Sequence, residues 1–205
     1  PAPGLTPERF FLSLDSIGEL LPLQENKMDK SKLEEYEGKR DFSKTPEPKG
    51  KSGKSNARPI FVIQQHKAST MHFDFRVEVD GVLASWAVPK GPSTDPNDKR
   101  LAIRTEDHPL EYARFEGKIP EGEYGGGAVI VWDYGEYENK SEKDGQEISV
   151  SDALDKGHVS ISLKGQKLKG GYSRIHTRMR GDKKNWLLVK EKDDEADARR
   201  NPTST

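Results

Sequence analysis

In the stretch HKASTMHFDFR, His66 to Arg76, two imidazoles, a carboxylate and a guanidinium fall within eleven residues. Extended chain sends alternate side chains to opposite faces. His72, Asp74 and Arg76 therefore share one face, and Met71, Phe73, Phe75, Val77 and Val79 share the other. One face reads as apolar core and the other as a polar row. A solvent-facing strand carries such residues without any chemistry, so the row needs support from outside the strand. His66 gives some: it precedes His72 by six residues across KAST, a polar stretch suited to folding it back toward its partner. Two imidazoles and one carboxylate make a nitrogen and oxygen site for Mn, Fe or Zn with coordination positions left open. Arg76 lies about 7 Å beyond Asp74 by strand rise. It suits a phosphate held beside such an ion, and equally a structural pair with Asp74.

A second constellation is TEDHPLEY, in which Glu106 and His108 share a face if extended and Tyr112 follows within a turn. A histidine oriented by a carboxylate, with a phenol alongside, can donate hydrogen bonds or a proton to a phosphate. A lone histidine before proline in a loop is more often incidental. His158, on an alternating strand, and His176, in a basic loop, read as incidental too. In IPEGEYGGGAVIVW, Ile119 to Trp132, the glycine run fits a hairpin turn entering a strand better than an anion cradle.

These residues need a scaffold, and from Pro59 onward the chain supplies strand after strand. PIFVIQQ, FRVEVDG, VLASWAVP, KRLAIRTE, GAVIVWDYGEYE, HVSISLKG and NWLLVKEK are short β-branched or aromatic runs, separated by turn signals such as DG, KG and GG. The expected fold is all-β with short helices, a barrel or a sandwich; if the sheet closes into a barrel, the polar row lines its cavity or mouth. Residues 1–38 read as an extension with short amphipathic pieces, in which SKLE, Ser31 to Glu34, has the form of a capping box. Residues 49–58 read as a mobile basic loop, and 194–205 as a disordered, solvated tail. The two GKS triplets in the basic stretch are not phosphate loops, because Thr45 and Pro48 stand where a Walker motif needs glycine.

The 205 residues are 31% hydrophobic and 34% charged, with no cysteine, so disulfides and thiolate metal sites are excluded. No apolar run nears the roughly 20 residues of a membrane span and no secretory signal opens the chain, so the expected location is cytoplasmic. Net charge is −1, yet it is segregated: residues 39–58 carry seven basic and two acidic groups, and 164–184 eight and one. Such segregation suits a protein that meets phosphates on one face.

Taken together, HKASTMHFDFR, DGVLASWAVPKGP, EDHPLEYARFEGKIPEGEYGGG and VIVWDYGEYE, in that order, resemble the 3′-phosphoesterase domain of the bacterial and archaeal DNA ligase D family. KRDFSKTPEP upstream is similar to that family's N-terminal motif and KNWLLVKEKD to its last strand, so the resemblance covers about residues 39–193. It implies a compact β-barrel that removes a terminal ribonucleoside as a phosphodiesterase and a 3′-phosphate as a phosphomonoesterase. The product is a 3′-OH for repair by end joining. It implies Mn²⁺, with Co²⁺ or Zn²⁺ as alternatives, at His66, His72 and Asp74. Arg76, His108 and Tyr112 match phosphate-contacting positions, Arg40, Asp41 and Glu47 fall on the N-terminal motif, and Lys90, Arg100 and Glu106 match polar positions around the pocket. Arg40 must then fold over the site. The implied partners are DNA 3′ ends in primer-template or duplex form, a DNA ligase in trans or fused, and Ku; the implied location is nucleoid-associated. Two rivals stand beside this reading. One is an Fe²⁺ and 2-oxoglutarate oxygenase built on His72-x-Asp74 with His108; the other is a non-catalytic barrel that binds DNA ends.

Overall fold

A computed structural model describes residues 32–50, 53, 57–177 and 184–204. Most of the N-terminal extension, Ser31 of the capping box and much of the basic loop lie outside the described residues. The first described helix, α1 (Glu34–Gly38), has Leu33 as its N-cap and no side-chain cap.

Among the described residues twelve strands follow. They are β1 (Ile60–Lys67), β2 (Met71–Val79), β3 (Val82–Val88), β4 (Arg100–Arg104), β5 (His108–Pro109), β6 (Gly117–Ile119), β7 (Gly127–Asn139), β8 (Glu142–Lys143), β9 (Gln146–Glu147), β10 (His158–Gly165), β11 (Lys169–His176) and β12 (Asn185–Lys190). A 3₁₀ turn spans Leu110–Arg114, and a second helix, α2 (Val150–Lys156), has Ser149 as N-cap, accepting from Asp152 N, and Gly157 as C-cap at φ 81°. The pairing order β1-β2-β3-β4-β12-β11-β10-β7 returns to β1, so eight antiparallel strands close a barrel and leave no open edge. β5 adds to β3 and β6 to β7 outside that circuit, and β8–β9 is a separate hairpin. The DG signals are left-handed turns: Asp80 and Gly81, at φ 47° and 80°, join β2 to β3 in the hairpin geometry that strand twist favours.

Apolar side chains fill the barrel. Phe61, Phe75, Val77, Trp86, Ile161, Leu163, Tyr172 and Leu188, from strands all round the circuit, form one buried cluster. Arg174 on β11 reaches across it, with its guanidinium 4.5 Å from the Trp86 ring centroid and 5.0 Å from that of Phe75. The strand parity read from the sequence holds, and it puts the polar row on the outer wall of the barrel. A lumen occupied by Phe75, Val77 and Trp86 has no room for a polar cavity. The outer wall is itself covered by α1, the 3₁₀ turn and β6, through a smaller core of Tyr36, Val62, Leu83, Tyr112, Phe115 and Ile119. The site lies in the polar layer between barrel and cover.

Two further differences have physical causes. Lys169–His176 is a full strand that its glycines and charges concealed; His176 ends it, packed 5.2 Å from Trp186, and is not in a loop. The chain after β12, read as a solvated tail, is tied to the barrel: Thr94 Oγ1 donates to the Asp197 and Arg200 carbonyls at 2.9 and 2.8 Å. Polar composition did not reveal these bonds, because their partner lies about a hundred residues away in sequence.

Candidate active site

KAST forms a tight connection between β1 and β2, and the hairpin register sets His66 directly opposite His72. Asp74 lies on the same face two residues further on. His66 Nδ1 is 3.4 Å from Asp74 Oδ2, and His72 Nε2 is 3.7 Å from Asp74 Oδ1. Two donors each about 2.1 Å from one ion at a tetrahedral angle stand about 3.4 Å apart, so the spacing fits a shared cation. Among the described residues this trio is the group able to hold a metal.

The opposite ring nitrogens support the assignment. His66 Nε2 donates to the Gly125 carbonyl at 2.8 Å and His72 Nδ1 to the Thr70 carbonyl at 2.9 Å. Each bond fixes a tautomer whose lone pair, on Nδ1 of His66 and Nε2 of His72, is turned toward Asp74; this is the outer-shell arrangement of metal-binding histidines. Burial pushes the Asp74 carboxyl up, but the neighbouring positive charge, Arg76 foremost, outweighs it and holds it below the ordinary carboxylate range.

Arg76 is the hinge between this trio and the next group. Its Nη2 donates to Asp74 Oδ2 at 3.1 Å, its Nε donates to Gln64 Oε1 at 2.8 Å, and its Nη1 is 3.0 Å from His108 Nδ1. Both sequence readings of Arg76 are compatible with this geometry: it pairs with Asp74 and also fronts the second constellation. Arg40 folds over the site as expected. Its Nε donates to Glu47 Oε1 at 2.8 Å, its Nη1 to Glu106 Oε1 at 3.1 Å, and its Nη2 lies 3.3 Å from His108 Nε2. The Tyr36 ring supports the guanidinium from below, 3.8 Å from its carbon. Burial opposes the charge on Arg40, but the Glu47 bond and nearby carboxylates outweigh it and raise the pKa.

His108 lies between two cations in a buried setting. Burial first, then Arg76 and Arg40, push its pKa well below that of free histidine, so it is a neutral imidazole at pH 7. With the proton on Nδ1 it donates to the Glu106 carbonyl at 2.9 Å and accepts from Arg40 at Nε2. Tyr112 joins the same network. Its hydroxyl donates to Glu47 Oε1 at 2.9 Å and its ring packs 4.7 Å from His108 and 4.8 Å from the Arg76 guanidinium. Burial raises its pKa well above 10, so it stays a phenol packed against His108 and Arg76.

Not every expected residue joins the cluster. Asp41 is exposed and accepts from Ser43 N and Oγ at 3.1 and 2.6 Å, closing its own turn, with Lys44 at 3.0 Å. Arg100 pairs with Asp98 at 2.7 Å, and Lys90 is exposed in the turn after β3. Glu47 and Glu106 are in the cluster as acceptors for Arg40, Lys39 and Tyr112, an arrangement that orients cations; a phosphate would be repelled by them. Conversely, Gln64 was missed. Its Oε1 accepts from Arg76, and its Nε2 donates to the Tyr112 and Phe115 carbonyls at 3.0 and 2.9 Å. Alternation along β1 places Gln64 on the same face as His66, so the signal was present. Tyr36 gave none, because only the tertiary fold carries it under Arg40.

The neutral state of His108 makes a prediction for stability. Its folded pKa is depressed, so its contribution is complete above the unfolded value near 6.5 and declines as pH falls from there toward the folded pKa. In that window the unfolded chain takes up a proton that the native ring refuses, a loss of up to about 1.4 kcal/mol per pH unit. Urea unfolding at pH 7.5 and 5.5 is expected to show a steeper loss for the parent than for His108→Gln; equal slopes would refute a buried neutral ring. The depressed carboxylates Asp74 and Glu106 act in a lower window, below about pH 4.5.

Comparison with known proteins matches residues 64–176 to the family described as DNA ligase D 3′-phosphoesterase domain. The matched span is more than half of the chain and contains the trio, Arg76, His108 and Tyr112. The chain belongs to that family. It is 49% identical over 166 residues to the multifunctional non-homologous end joining protein LigD of Pseudomonas aeruginosa, covering 80% of this chain and 19% of that protein. The protein of the same name from Mycolicibacterium smegmatis is 43% identical over 182 residues, 88% of this chain and 23% of its own. The multifunctional end joining DNA repair protein LigD of Mycobacterium tuberculosis is 47% identical over 160 residues, 76% and 19% respectively. The chain thus spans about a fifth of the length of the curated relatives it matches. As a member of the 3′-phosphoesterase family with a His66, His72, Asp74 centre, it is a metal-dependent phosphoesterase. No helix among the described residues is long and apolar enough to cross a membrane.

Proposed function

We infer that this domain heals DNA 3′ ends, cleaving a terminal ribonucleoside as a phosphodiesterase and a 3′-phosphate as a phosphomonoesterase. One observation carries the reading: a histidine, histidine, aspartate trio with tautomers fixed by backbone carbonyls is joined through Arg76 to an adjoining cationic pocket. The charge balance agrees. Lys39, Arg40 and Arg76 are matched in number by Asp74, Glu47 and Glu106, so a bound divalent ion leaves two positive charges, the charge of a phosphomonoester dianion.

The reaction is phosphoryl transfer to water. A water oxygen bonds to phosphorus and the ester P–O bond breaks; the leaving oxygen, the ribonucleoside's 5′ oxygen in the diester and the strand's 3′ oxygen in the monoester, takes one of the water's protons and ends as a hydroxyl, with the water's other proton released. His66, His72 and Asp74 would hold a divalent cation, which we propose is Mn²⁺; bound there it would polarise a phosphate oxygen and lower the pKa of a bound water. Arg76 holds a second phosphate oxygen in fixed geometry, and Arg40, clamped by Glu47 and Glu106, adds charge on the other side of His108. Neutral His108 accepts from Arg40 at Nε2 and so helps to fix that guanidinium, with Tyr112 and Gln64 holding the cations in register.

Lys90 and Arg100 are proposed to meet the strand away from the reacting phosphate, because neither touches the cluster. The oxygenase reading loses its support. His66 completes the trio, whereas Nδ1 of His108 donates to the Glu106 carbonyl and its Nε2 lone pair is taken by Arg40, which leaves none for a metal. Three protein ligands also leave positions open, as catalytic centres do, which disfavours a purely structural metal. We further propose DNA 3′ ends as substrate, a DNA ligase, fused or in trans, and Ku as partners, and a nucleoid-associated cytoplasmic location.

A labelled primer-template ending in a ribonucleotide or a 3′-phosphate tests the reading. New 3′-OH ends are expected with Mn²⁺; substrate left unprocessed with Mn²⁺, Co²⁺ and Zn²⁺ alike would refute it.

A further inference from the structure

The loop at 120–126 between β6 and β7 supplies more than the Gly125 carbonyl. Its Tyr124, at 46% exposure, is the most exposed aromatic among the described residues. An exposed tyrosine alone means little. This one is the chain neighbour of Gly125, which fixes His66, and so stands at the edge of the metal-binding trio. Its hydroxyl is anchored 3.3 Å from Lys39 Nζ and 3.4 Å from Glu106 Oε2. Lys39 Nζ and the Arg40 guanidinium carbon lie 4.8 and 5.4 Å from its ring centroid. Arg40 therefore touches both the Tyr124 ring and His108, leaving one guanidinium between the ring and the phosphate pocket.

Two turn bonds hold the loop, Glu123 N donating to the Pro120 carbonyl at 3.2 Å and Gly126 N to the Glu123 carbonyl at 3.0 Å. Gly122 and Gly125 have φ of 93° and 75°, and a Cβ on Gly127 would sit 2.3 Å from the Lys67 carbonyl oxygen. The GEYGGG motif thus holds one aromatic ring at a fixed place beside a site for a strand terminus. In a 3′-phosphorylated strand the last base lies one sugar away from the phosphate, and stacking on an aromatic side chain accepts any base.

We propose that Tyr124 is the platform on which the 3′-terminal base stacks, so that it sets productive binding of the strand without base preference. This rests on the phosphoesterase reading above. Stacking of this kind is worth about 5- to 150-fold.

The test compares 3′-phosphate primers whose last nucleotide carries a base or is abasic. In the parent, losing the base is expected to lower kcat/KM by that factor, chiefly through KM. In Tyr124→Ala the same loss should have little effect, and Tyr124→Phe should restore the penalty. Equal penalties in the parent and Tyr124→Ala would overturn the proposal. A second readout needs no turnover: with 2-aminopurine as the last base, the parent and Tyr124→Phe should quench its fluorescence on binding and Tyr124→Ala should not. Equal quenching in parent and Tyr124→Ala overturns the platform even if cleavage is robust. Quenching that depends on Tyr124, in protein that cleaves nothing, would keep the platform and sink the phosphoesterase reading instead.

Discussion

Asp74→Ala is expected to bring cleavage of both ester types to background, a loss of about 10³-fold or more, together with stoichiometric metal binding. The carboxylate is the central member of its cluster, 3.4 Å from His66, 3.7 Å from His72 and 3.1 Å from Arg76. Its removal takes one ligand and the only anion from the trio. It also strips Arg76 of its acidic partner, leaving a buried guanidinium held by Gln64 alone on that side. Asp74→Asn keeps the shape and should fail nearly as completely, because the neutral amide supplies no charge. Metal content by elemental analysis and single-turnover cleavage on the same samples decide the matter. A variant that keeps one ion per chain and cleaves within tenfold of the parent would show that the ligand set is misassigned.

Arg76→Lys is expected to cost about 10²- to 10³-fold in kcat/KM, while metal stoichiometry stays near that of the parent. The side chain uses separate nitrogens toward Gln64, Asp74 and the His108 ring, and its guanidinium lies 4.8 Å from the Tyr112 ring centroid. A lysine carries the same charge but cannot span those three directions, nor present a planar fork to a phosphate. The substitution thus separates geometry from charge. If charge alone mattered, Arg76→Lys would cleave within a few fold of the parent, and the assignment of Arg76 as a fixed phosphate clamp would fall.

The sequence revealed the parts of this site that lie on one strand or within one turn. Alternation along Met71–Val79 separated His72, Asp74 and Arg76 from Phe73, Phe75 and Val77, and the structure keeps that division. Alternation could not say which face would be the lumen. That depends on eight strands closing around the bulkier apolar set, so the polar row ended on the outer wall. His66 was legible because a short hairpin connection joins it to His72; the Arg40, Glu47, Glu106 and His108 network depends on contacts 66 to 68 residues apart, which no local pattern records. The resemblance pointed to those residues without their orientation. It therefore gave Tyr112 as a match to a phosphate-contacting position and Glu47 as part of a motif, without the hydrogen bond between them or their packing against Arg76 and Arg40. Strand Lys169–His176 was concealed by glycines and charges, and its inward Arg174 needs aromatic faces from β2 and β3 that only the closed barrel provides.

The central claim is that one divalent ion, held by His66, His72 and Asp74, carries the cleavage of a DNA 3′-phosphate. Titrating Mn²⁺ into metal-free protein, while following bound ion by electron paramagnetic resonance and conversion of a 3′-phosphate primer to 3′-OH in the same sample, tests it directly. Conversion is expected to rise in step with occupancy and to level off at one ion per chain. Full conversion by the metal-free protein, or conversion that ignores the occupancy of that single site, would contradict it.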